Sequence, residues 1–421
     1  MTQESITVAP NLALDEAVSR RRAAGEPILH LGFGESRLPL FPGLVDRLAA
    51  GAGRTAYGPV AGDEAVRIAV TGYLARRRIP ADPDQIVVAP GSKPLLLAVV
   101  AAVGGDVLLP KPSWVTYAPQ ARLFGRRAQL VPVPETCGGA PDPGLLGEAV
   151  AELRASGGDP RLLVLTSPDN PTGTLVPPEV IVELCAIAEE EDLLIVSDEI
   201  YRDVVFDGSA RLLSPAEVMP ERTVVTTGLS KSLALGGWRI GAARFPAGAW
   251  GTEIRQRVLG VASQSWSSLA GPMQSVAEYA FSEPVELVAH IAASARLHGI
   301  VARALHMVVT SHAASCRPPA GAFYLYPDLE PLRDPLARRG VVDSASLERH
   351  LLEDHGVAVL GGHHFGDDPG ALRFRIATGR LYGSNELERW ESLRSEDPLE
   401  LPQIAGPLAE LDDVFAVLKA G

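Results

Sequence analysis

Lysine is the scarcest charged residue of this 421-residue chain, with four copies among 38 basic residues. Arginine supplies all the other basic side chains. One of the four, Lys231, lies between two serines in the segment TTGLSKSLALGGWRIG, residues 226–241. An arginine can replace a lysine as a charge, but it cannot lose its proton and attack a carbonyl carbon. A surface position is the simplest interpretation of any single lysine, whereas an amine kept in so arginine-rich a chain indicates a chemical role.

The scarcity of cysteine, of long apolar runs and of net positive charge argues against several classes of protein. The three cysteines stand far apart and form no motif, which fits a reducing cytoplasm better than a disulfide framework. The longest uninterrupted apolar run, residues 95–103, is too short to span a bilayer, and the N-terminus has no secretory-signal pattern. A net charge of −13 argues against a nucleic-acid surface. We therefore expect a cytoplasmic protein with small-molecule partners, and neither a membrane nor a nucleic acid among them.

Short apolar runs alternate with segments of helical period along most of the chain. The runs that predict strands are 86–89, 107–109, 162–165, 193–196, 223–226 and 240–245, and those that predict helices between them are 93–103, 114–124, 145–155 and 178–191. This alternation predicts an α/β fold with a mostly parallel central sheet and helices on both faces. The C-terminal third instead combines helices at 283–309 and 344–355 with strands at 322–326 and 372–377, which predicts a smaller α+β domain. We expect a large domain at 50–290 and a small domain from 1–49 and 291–421.

Polar clusters follow four of the predicted strands, where ligands bind in sheets of this kind. The segment Gly91–Ser92–Lys93 opens a helix and offers backbone N–H groups to an anion, although a plain N-cap at Ser92 is an equally good interpretation. Asn170, Asp198 and Tyr201 come from the next two clusters, and each alone is typical of a turn or a strand end. The fragment Gly32–Phe33–Gly34 lacks the third glycine of a dinucleotide fingerprint, so we reject a Rossmann site there.

The four clusters GSK, PDNPTG, SDEIY and LSKSLALGGWRIG, in this order, resemble the fold-type-I, class I/II aminotransferases that depend on pyridoxal 5′-phosphate (PLP). The resemblance runs over residues 31–378. It implies that Lys231 forms the Schiff base with PLP and that Asp198 keeps the ring nitrogen protonated. It also implies that Asn170 and Tyr201 bind the phenolic oxygen of the cofactor.

The same resemblance assigns the remaining groups of the site. The phosphate would be held by a set of four residues, namely Ser92, Lys93, Ser230 and Arg239. Trp114 would stack on the ring, and Tyr57 would reach the phosphate of a neighbouring subunit, which implies a homodimer with shared active sites. For the substrate, Gly34 and Asn170 would approach it and Arg373 would bind its carboxylate. Strand alternation places Arg375 on the same face as Arg373, so Arg375 also becomes a candidate for the site.

The implied reaction is the transfer of an amino group between an L-amino acid and a 2-oxo acid by a ping-pong mechanism. The same residues serve β-elimination, γ-replacement or oxidation on a related scaffold, because the cofactor performs the chemistry. A third interpretation is a ligand-sensing module without turnover, which the retention of Lys231 beside the other cofactor contacts makes the weakest of the three. Formation of pyridoxamine phosphate when an amino acid is added would distinguish amino-group transfer from the other interpretations.

Several positions depart from the pattern of the family. Gly228 stands where a serine is common, and Glu35–Ser36 replaces the usual Glu-Pro-Asp. Trp266 stands where a proline is common and would narrow a shared pocket. The pair His363–His364 predicts a structural loop, since no cysteine or carboxylate motif frames it as a metal site. No role follows from the acidic segment 382–406.

Overall fold

The structure is a computed structural model and describes residues 7–206 and 211–420. Its strands are β1 Leu29–His30, β2 Ile86–Ala89, β3 Asp106–Lys111, β4 Ala128–Pro132, β5 Pro160–Thr166, β6 Leu194–Asp198, β7 Thr223–Gly228, β8 Gly241–Arg244, β9 Tyr324–Leu325, β10 Val357–Ala358, β11 Leu360–Gly361 and β12 Phe374–Ala377. Its helices are α1 Pro10–Ala23, α2 Pro42–Gly51, α3 Glu64–Arg76, α4 Ser92–Val103, α5 Tyr117–Leu123, α6 Pro143–Ala155, α7 Pro178–Glu190, α8 Pro215–Val218, α9 Leu229–Ser232, α10 Gly248–Ser265, α11 Gly271–Ser282, α12 Val285–Ser311, α13 Arg333–Arg338, α14 Ser344–His355, α15 Glu386–Arg394 and α16 Pro402–Ala420.

A seven-stranded sheet in the order β2-β8-β7-β6-β5-β3-β4 forms the centre of the chain. All neighbours in it are parallel except β8, which is antiparallel to both β2 and β7. Strands β6, β7 and β8 are buried from end to end, as expected for strands covered on both faces. The predicted α/β class with a mostly parallel sheet is therefore confirmed.

The register of the inner strands brings three polar side chains to one edge of the sheet. Thr166 at the end of β5 pairs with Asp198 at the end of β6, and Asp198 pairs in turn with Thr226 on β7. Because parallel strands end at the same edge, the loops that follow β2, β5, β6 and β7 meet there.

The smaller part of the fold contains two short sheets. Strand β1 pairs in parallel with β10, and β12 lies between β11 and β9 in an antiparallel sheet. Strand β1 of the N-terminal segment thus pairs with a strand of the C-terminal third. Helix α2 differs, because Leu44 packs in the same apolar cluster as α11 and the central sheet. Helix α2 therefore packs beside the central sheet rather than with the two short sheets.

Helix α12 connects the two parts of the fold. Its Leu287 packs in the cluster beside the central sheet, whereas Leu297, Val301 and Leu305 pack in the cluster of the smaller part. Length and composition alone would allow this helix to cross a bilayer. A helix buried between two cores needs the same composition. The predicted boundary at residue 290 falls within it.

Candidate active site

A cavity of about 450 Å³ lies at the carboxyl edge of the central sheet. The predicted site residues that line it are Gly34, Ser92, Lys93, Trp114, Asn170, Asp198, Tyr201, Ser230, Lys231 and Arg239. The cavity is also lined by residues that the sequence did not single out for the site, among them Glu35, Tyr117 and Tyr324. Two predicted residues, Tyr57 and Arg373, lie outside it.

Lys231 belongs to the short helix α9, which begins directly after strand β7. Its Nζ donates a hydrogen bond to the carbonyl oxygen of Gly34. Burial lowers the pKa of the amine to about 8, and the guanidinium of Arg375 acts in the same direction, partly opposed by the carboxylate of Glu35. A neutral amine is therefore available near neutral pH, which an ordinary lysine does not offer.

This lowered pKa predicts how the free amine reacts. A protonated amine cannot attack a carbonyl carbon, so the rate of reaction with a small aldehyde such as pyridoxal should rise with pH and level off above about 8. Stopped-flow absorbance of the cofactor-free chain measures this rate, with Lys231→Ala as the background. A rate that keeps rising to about pH 10, as for an ordinary lysine, would contradict the expectation.

Asp198 is a buried carboxylate at the end of β6. It accepts hydrogen bonds from the Tyr117 hydroxyl at 2.8 Å and from the Thr226 hydroxyl at 3.1 Å. Burial raises the pKa of Asp198 to about 6, although both hydrogen bonds favour the charged form. Within residues 7–206 and 211–420 no basic side chain forms an ion pair with it. The cavity thus contains a carboxylate without a cationic partner.

Two tyrosines form the wall beside Lys231. The hydroxyl groups of Tyr201 and Tyr324 are 2.5 Å apart, and burial raises the pKa of the Tyr201 phenol well above its ordinary value. A Cβ at Gly34 would collide with the Tyr324 hydroxyl. A larger residue at position 34 would therefore require the Tyr324 side chain or the backbone to shift.

Arg375 is the arginine that the structure places in the cavity. Its Nη1 donates to Asn170 Oδ1 at 2.9 Å and its Nη2 donates to the Gly32 carbonyl at 2.7 Å, while its guanidinium carbon lies 4.7 Å from the centre of the Tyr324 ring. The side chain is fully buried and has no carboxylate partner among the described residues. A guanidinium held in this way can pair with an incoming carboxylate.

The placement of Arg373 corrects the sequence prediction. Arg373 precedes strand β12 and pairs with Asp328 at 2.7 Å and Asp367 at 3.3 Å, and its side chain is 39% exposed. Its charge is therefore already neutralised at the rim of the fold, away from the cavity. Of the two arginines, Arg375 is the one that lines the cavity.

The other end of the cavity is built to hold an anion. Helix α4 begins at Ser92 after Gly91, whose φ is 93°, so free backbone N–H groups face the cavity beside Ser230 and Arg239. A Cβ at Gly91 would collide with the Arg239 guanidinium, and one at Gly241 would collide with the Gly91–Ser92 backbone. Burial and the charge of Arg239 lower the pKa of Lys93, whose Nζ lies 5.1 Å from the centre of the Trp114 ring.

Tyr57 lies on the surface behind this anion cradle. Its side chain is 93% exposed, and it lines a neighbouring surface cavity with Trp266 and with Arg239, which also lines the active-site cavity. Tyr57 thus does not line the active-site cavity of its own chain.

The other departures from the family pattern have structural explanations. A Cβ at Gly228 would approach the Ile240 carbonyl oxygen at 2.7 Å, so a larger residue needs a shift there. Ser36 is buried and its hydroxyl lies 3.3 Å from His298 Nε2. In the predicted histidine loop, His363 Nδ1 lies 2.7 Å from the Ser344 hydroxyl and His364 Nε2 lies 3.2 Å from Glu348. These contacts tie the loop to α14.

Comparisons with known proteins agree with this geometry. The family model for aminotransferase class I and II matches residues 26–382. An aspartate aminotransferase of Bacillus subtilis is 29% identical over 395 residues, covering 91% of this chain and 96% of that protein. One of Geobacillus stearothermophilus is 31% identical over 385 residues, covering 89% and 93%. The solved structure of aspartate aminotransferase from Thermus thermophilus with maleate superposes with a TM-score of 0.79 at 27% identity, covering 92% of this chain and 96% of that one.

The chain belongs to the aminotransferase class I and II family and is a PLP-dependent aminotransferase. The predicted fold type and reaction class are thereby confirmed.

Proposed function

We propose that this chain holds PLP in the cavity at the sheet edge and transfers an amino group between an L-amino acid and a 2-oxo acid. The observation that carries the proposal is the convergence of three buried groups in one cavity: the amine of Lys231, the unpaired carboxylate of Asp198 and the guanidinium of Arg375. Burying any one of these charged or polar groups without a partner costs free energy. Each of the three is chemically suited to one group of the cofactor or the substrate.

The donors that surround the cavity fit PLP. The cradle of Ser92, Ser230 and Arg239, which glycines at 91 and 241 keep open, suits a phosphate. Asp198 suits a protonated ring nitrogen, because a buried carboxylate with a raised pKa and no basic partner gains from a cation beside it. Asn170 and Tyr201 suit the phenolic oxygen, and the ring of Trp114 suits the face of a pyridine.

When bound, PLP supplies an electrophilic aldehyde and a ring that withdraws electrons from the substrate. Arg375 and Asn170 bind the substrate carboxylate and so fix the orientation of the Cα–H bond. The neutral amine of Lys231 would act as the general base and acid that moves the Cα proton of the substrate. Asp198 holds the proton on the ring nitrogen, and the walls of Tyr324 and Phe33 reduce access of water.

Steady-state assays of the PLP-loaded chain with a panel of L-amino acids and 2-oxo acids test this function. The names of the relatives favour aspartate as the first donor, with 2-oxoglutarate as the acceptor. Parallel lines in double-reciprocal plots, and pyridoxamine phosphate formed in a half-reaction, are expected for a ping-pong transfer. Loss of ammonia without any amine transfer, for every donor tried, would contradict the proposal.

We also propose a homodimer in which Tyr57 of each chain reaches the phosphate cradle of the other. The exposure of Tyr57 and its position beside Arg239 support this proposal. Tyr57→Phe should weaken retention of PLP about tenfold, the effect of one hydrogen bond to a charged group. Dialysis followed by absorbance measures retention, sedimentation measures assembly, and Tyr279→Phe, a half-exposed tyrosine elsewhere, is the control. Unchanged retention in a dimeric variant would refute the shared contact.

The cysteines support a cytoplasmic location. Cys137, Cys185 and Cys316 are all free, and the first two are buried. Unpaired thiols are typical of proteins in a reducing compartment.

A further inference from the structure

A second cavity, of about 610 Å³, lies behind the active-site cavity, between the end of α1, the loop after β12 and helices α15 and α16. Three arginines line it: Arg22, Arg37 and Arg380. The two cavities share a wall. Glu35 lines the first cavity, and its carboxylate pairs with Arg37 at 3.1 Å and Arg380 at 2.9 Å, which line the second.

The arginines retain donors that no carboxylate uses. Arg22 donates to the Ile28 carbonyl through Nε and Nη2, and no carboxylate in the described ranges pairs with it. Arg37 uses only its Nε on Glu35. Arg380 pairs with two carboxylates through one nitrogen, because its Nη2 lies 2.9 Å from both Glu35 and Asp15. Free guanidinium donors therefore remain at the cavity wall.

The mutual positions of these arginines are electrostatically unfavourable. Burial lowers the pKa of Arg22, and the nearby charges of Arg380 and Arg37 lower it further. The one carboxylate that lines the cavity, Glu388, is held by the backbone N–H and hydroxyl of Ser384. Glu35 and Asp15 pair with Arg37 and Arg380 without lining the cavity, and Arg22 has no carboxylate partner among the described residues. The guanidinium donors that these pairs leave free face an open cavity and form a site that an anion would stabilise.

We propose that this second cavity binds a small oxyanion, a phosphate or a carboxylate compound with at least two negative charges, through Arg22, Arg37 and Arg380. Guanidinium forks recognise both kinds of group with paired hydrogen bonds. The size of the cavity suits a small molecule rather than a single ion.

Binding there would reach the active site through two direct contacts. An anion competes with Glu35 for Arg37 and Arg380, and with Asp15 for Arg380. Asp15 belongs to α1, and Asn11 and Leu12 of the same helix line the active-site cavity. Loosening these pairs removes restraints from the loop of Glu35 and from α1, so the bound anion should raise the KM for the amino donor.

Calorimetric titration of the PLP-loaded protein with pyrophosphate, and separately with citrate, tests the site. Loaded protein is used because PLP then fills the phosphate cradle of the active site. We expect saturable binding of one of the two anions and at least a tenfold loss of affinity in Arg37→Gln and Arg22→Gln. The anion that binds decides between phosphate and carboxylate chemistry. Arg20→Gln, an exposed arginine on the same helix outside the cavity, is the matched control.

A second readout separates a ligand site from a purely structural cluster. The anion that binds should raise the donor KM of the wild-type protein severalfold, and it should leave the KM of Arg22→Gln unchanged. Thermal unfolding of each variant without anion shows whether the fold is intact. No saturable binding of either anion, or equal affinity in wild type and both cavity variants, would overturn the proposal.

Discussion

Lys231→Ala is expected to abolish amino-group transfer, with a loss in kcat of at least about 10⁴-fold, because the variant lacks both the nucleophile and the general base. Borohydride treatment should attach PLP covalently to the wild-type chain and leave the variant unmodified, as mass spectrometry would show. The phosphate cradle and Asp198 remain in place, so the variant should still bind PLP reversibly.

Two control variants make this result specific. Lys419→Ala removes a lysine from the last helix and should leave kcat unchanged. Lys231→Arg keeps the positive charge without a nucleophilic amine, so it should be as inactive as the alanine variant. Substantial turnover by either variant at position 231 would remove Lys231 from the mechanism.

Arg375→Ala is expected to raise the KM for the amino donor about 10²–10⁴-fold, since two charge-assisted hydrogen bonds to the substrate carboxylate each contribute about 1.5–3 kcal/mol. Arg373→Ala is the matched comparison, two residues away. Its side chain is partly exposed and pairs with Asp328 and Asp367, so its loss should change KM less than about twofold and lower stability by about 1 kcal/mol at most.

Donor-dependent kinetics of the two variants, with circular dichroism as a check on folding, decide between the two arginines. The reverse result, a large KM effect for Arg373→Ala and none for Arg375→Ala, would restore the sequence-based assignment. Because the deleted guanidinium of Arg375 leaves Asn170 and the Gly32 carbonyl without their donor, some loss of stability in Arg375→Ala is also expected.

Most elements of the central sheet could be predicted from sequence because buried parallel strands are apolar runs between turn residues. The run 86–89 coincides with β2, and the predicted helix 344–355 coincides with α14. Strand β4 was missed because Ala128–Pro132 is an edge strand that is buried at only one residue, Val131, so it carries no continuous apolar signal. The antiparallel direction of β8 follows from its connections and has no local sequence signature.

Site residues that belong to a sequence motif could be predicted. Residues that reach the site only through a contact between distant segments could not. Tyr117 lies three residues after Trp114 inside the predicted helix 114–124, but the observed helix α5 begins only at Tyr117, so the contact between the two rings does not come from a shared helix face. Thr226 reaches Asp198 only through the register of β6 and β7. Tyr324 comes to Tyr201 from 123 residues away, and no pattern in either segment indicates the contact.

The choice between Arg373 and Arg375 depended on where strand β12 begins. Both residues fit the alternation of the strand, but Arg373 stands one position before it, next to Asp328 through an isolated bridge. The partner carboxylates Asp328 and Asp367 lie in other segments, so the sequence did not reveal that one arginine was already neutralised.

Helix α12 has a consequence for how the protein unfolds. Its 27 residues extend without interruption from the core of the central sheet into the core of the smaller part. If one core unfolded alone, the apolar side chains of its half of α12 would be exposed while the other core still held the rest of the helix. The two cores should therefore unfold as a single cooperative unit. Differential scanning calorimetry should show one transition, and two separate transitions would contradict this coupling.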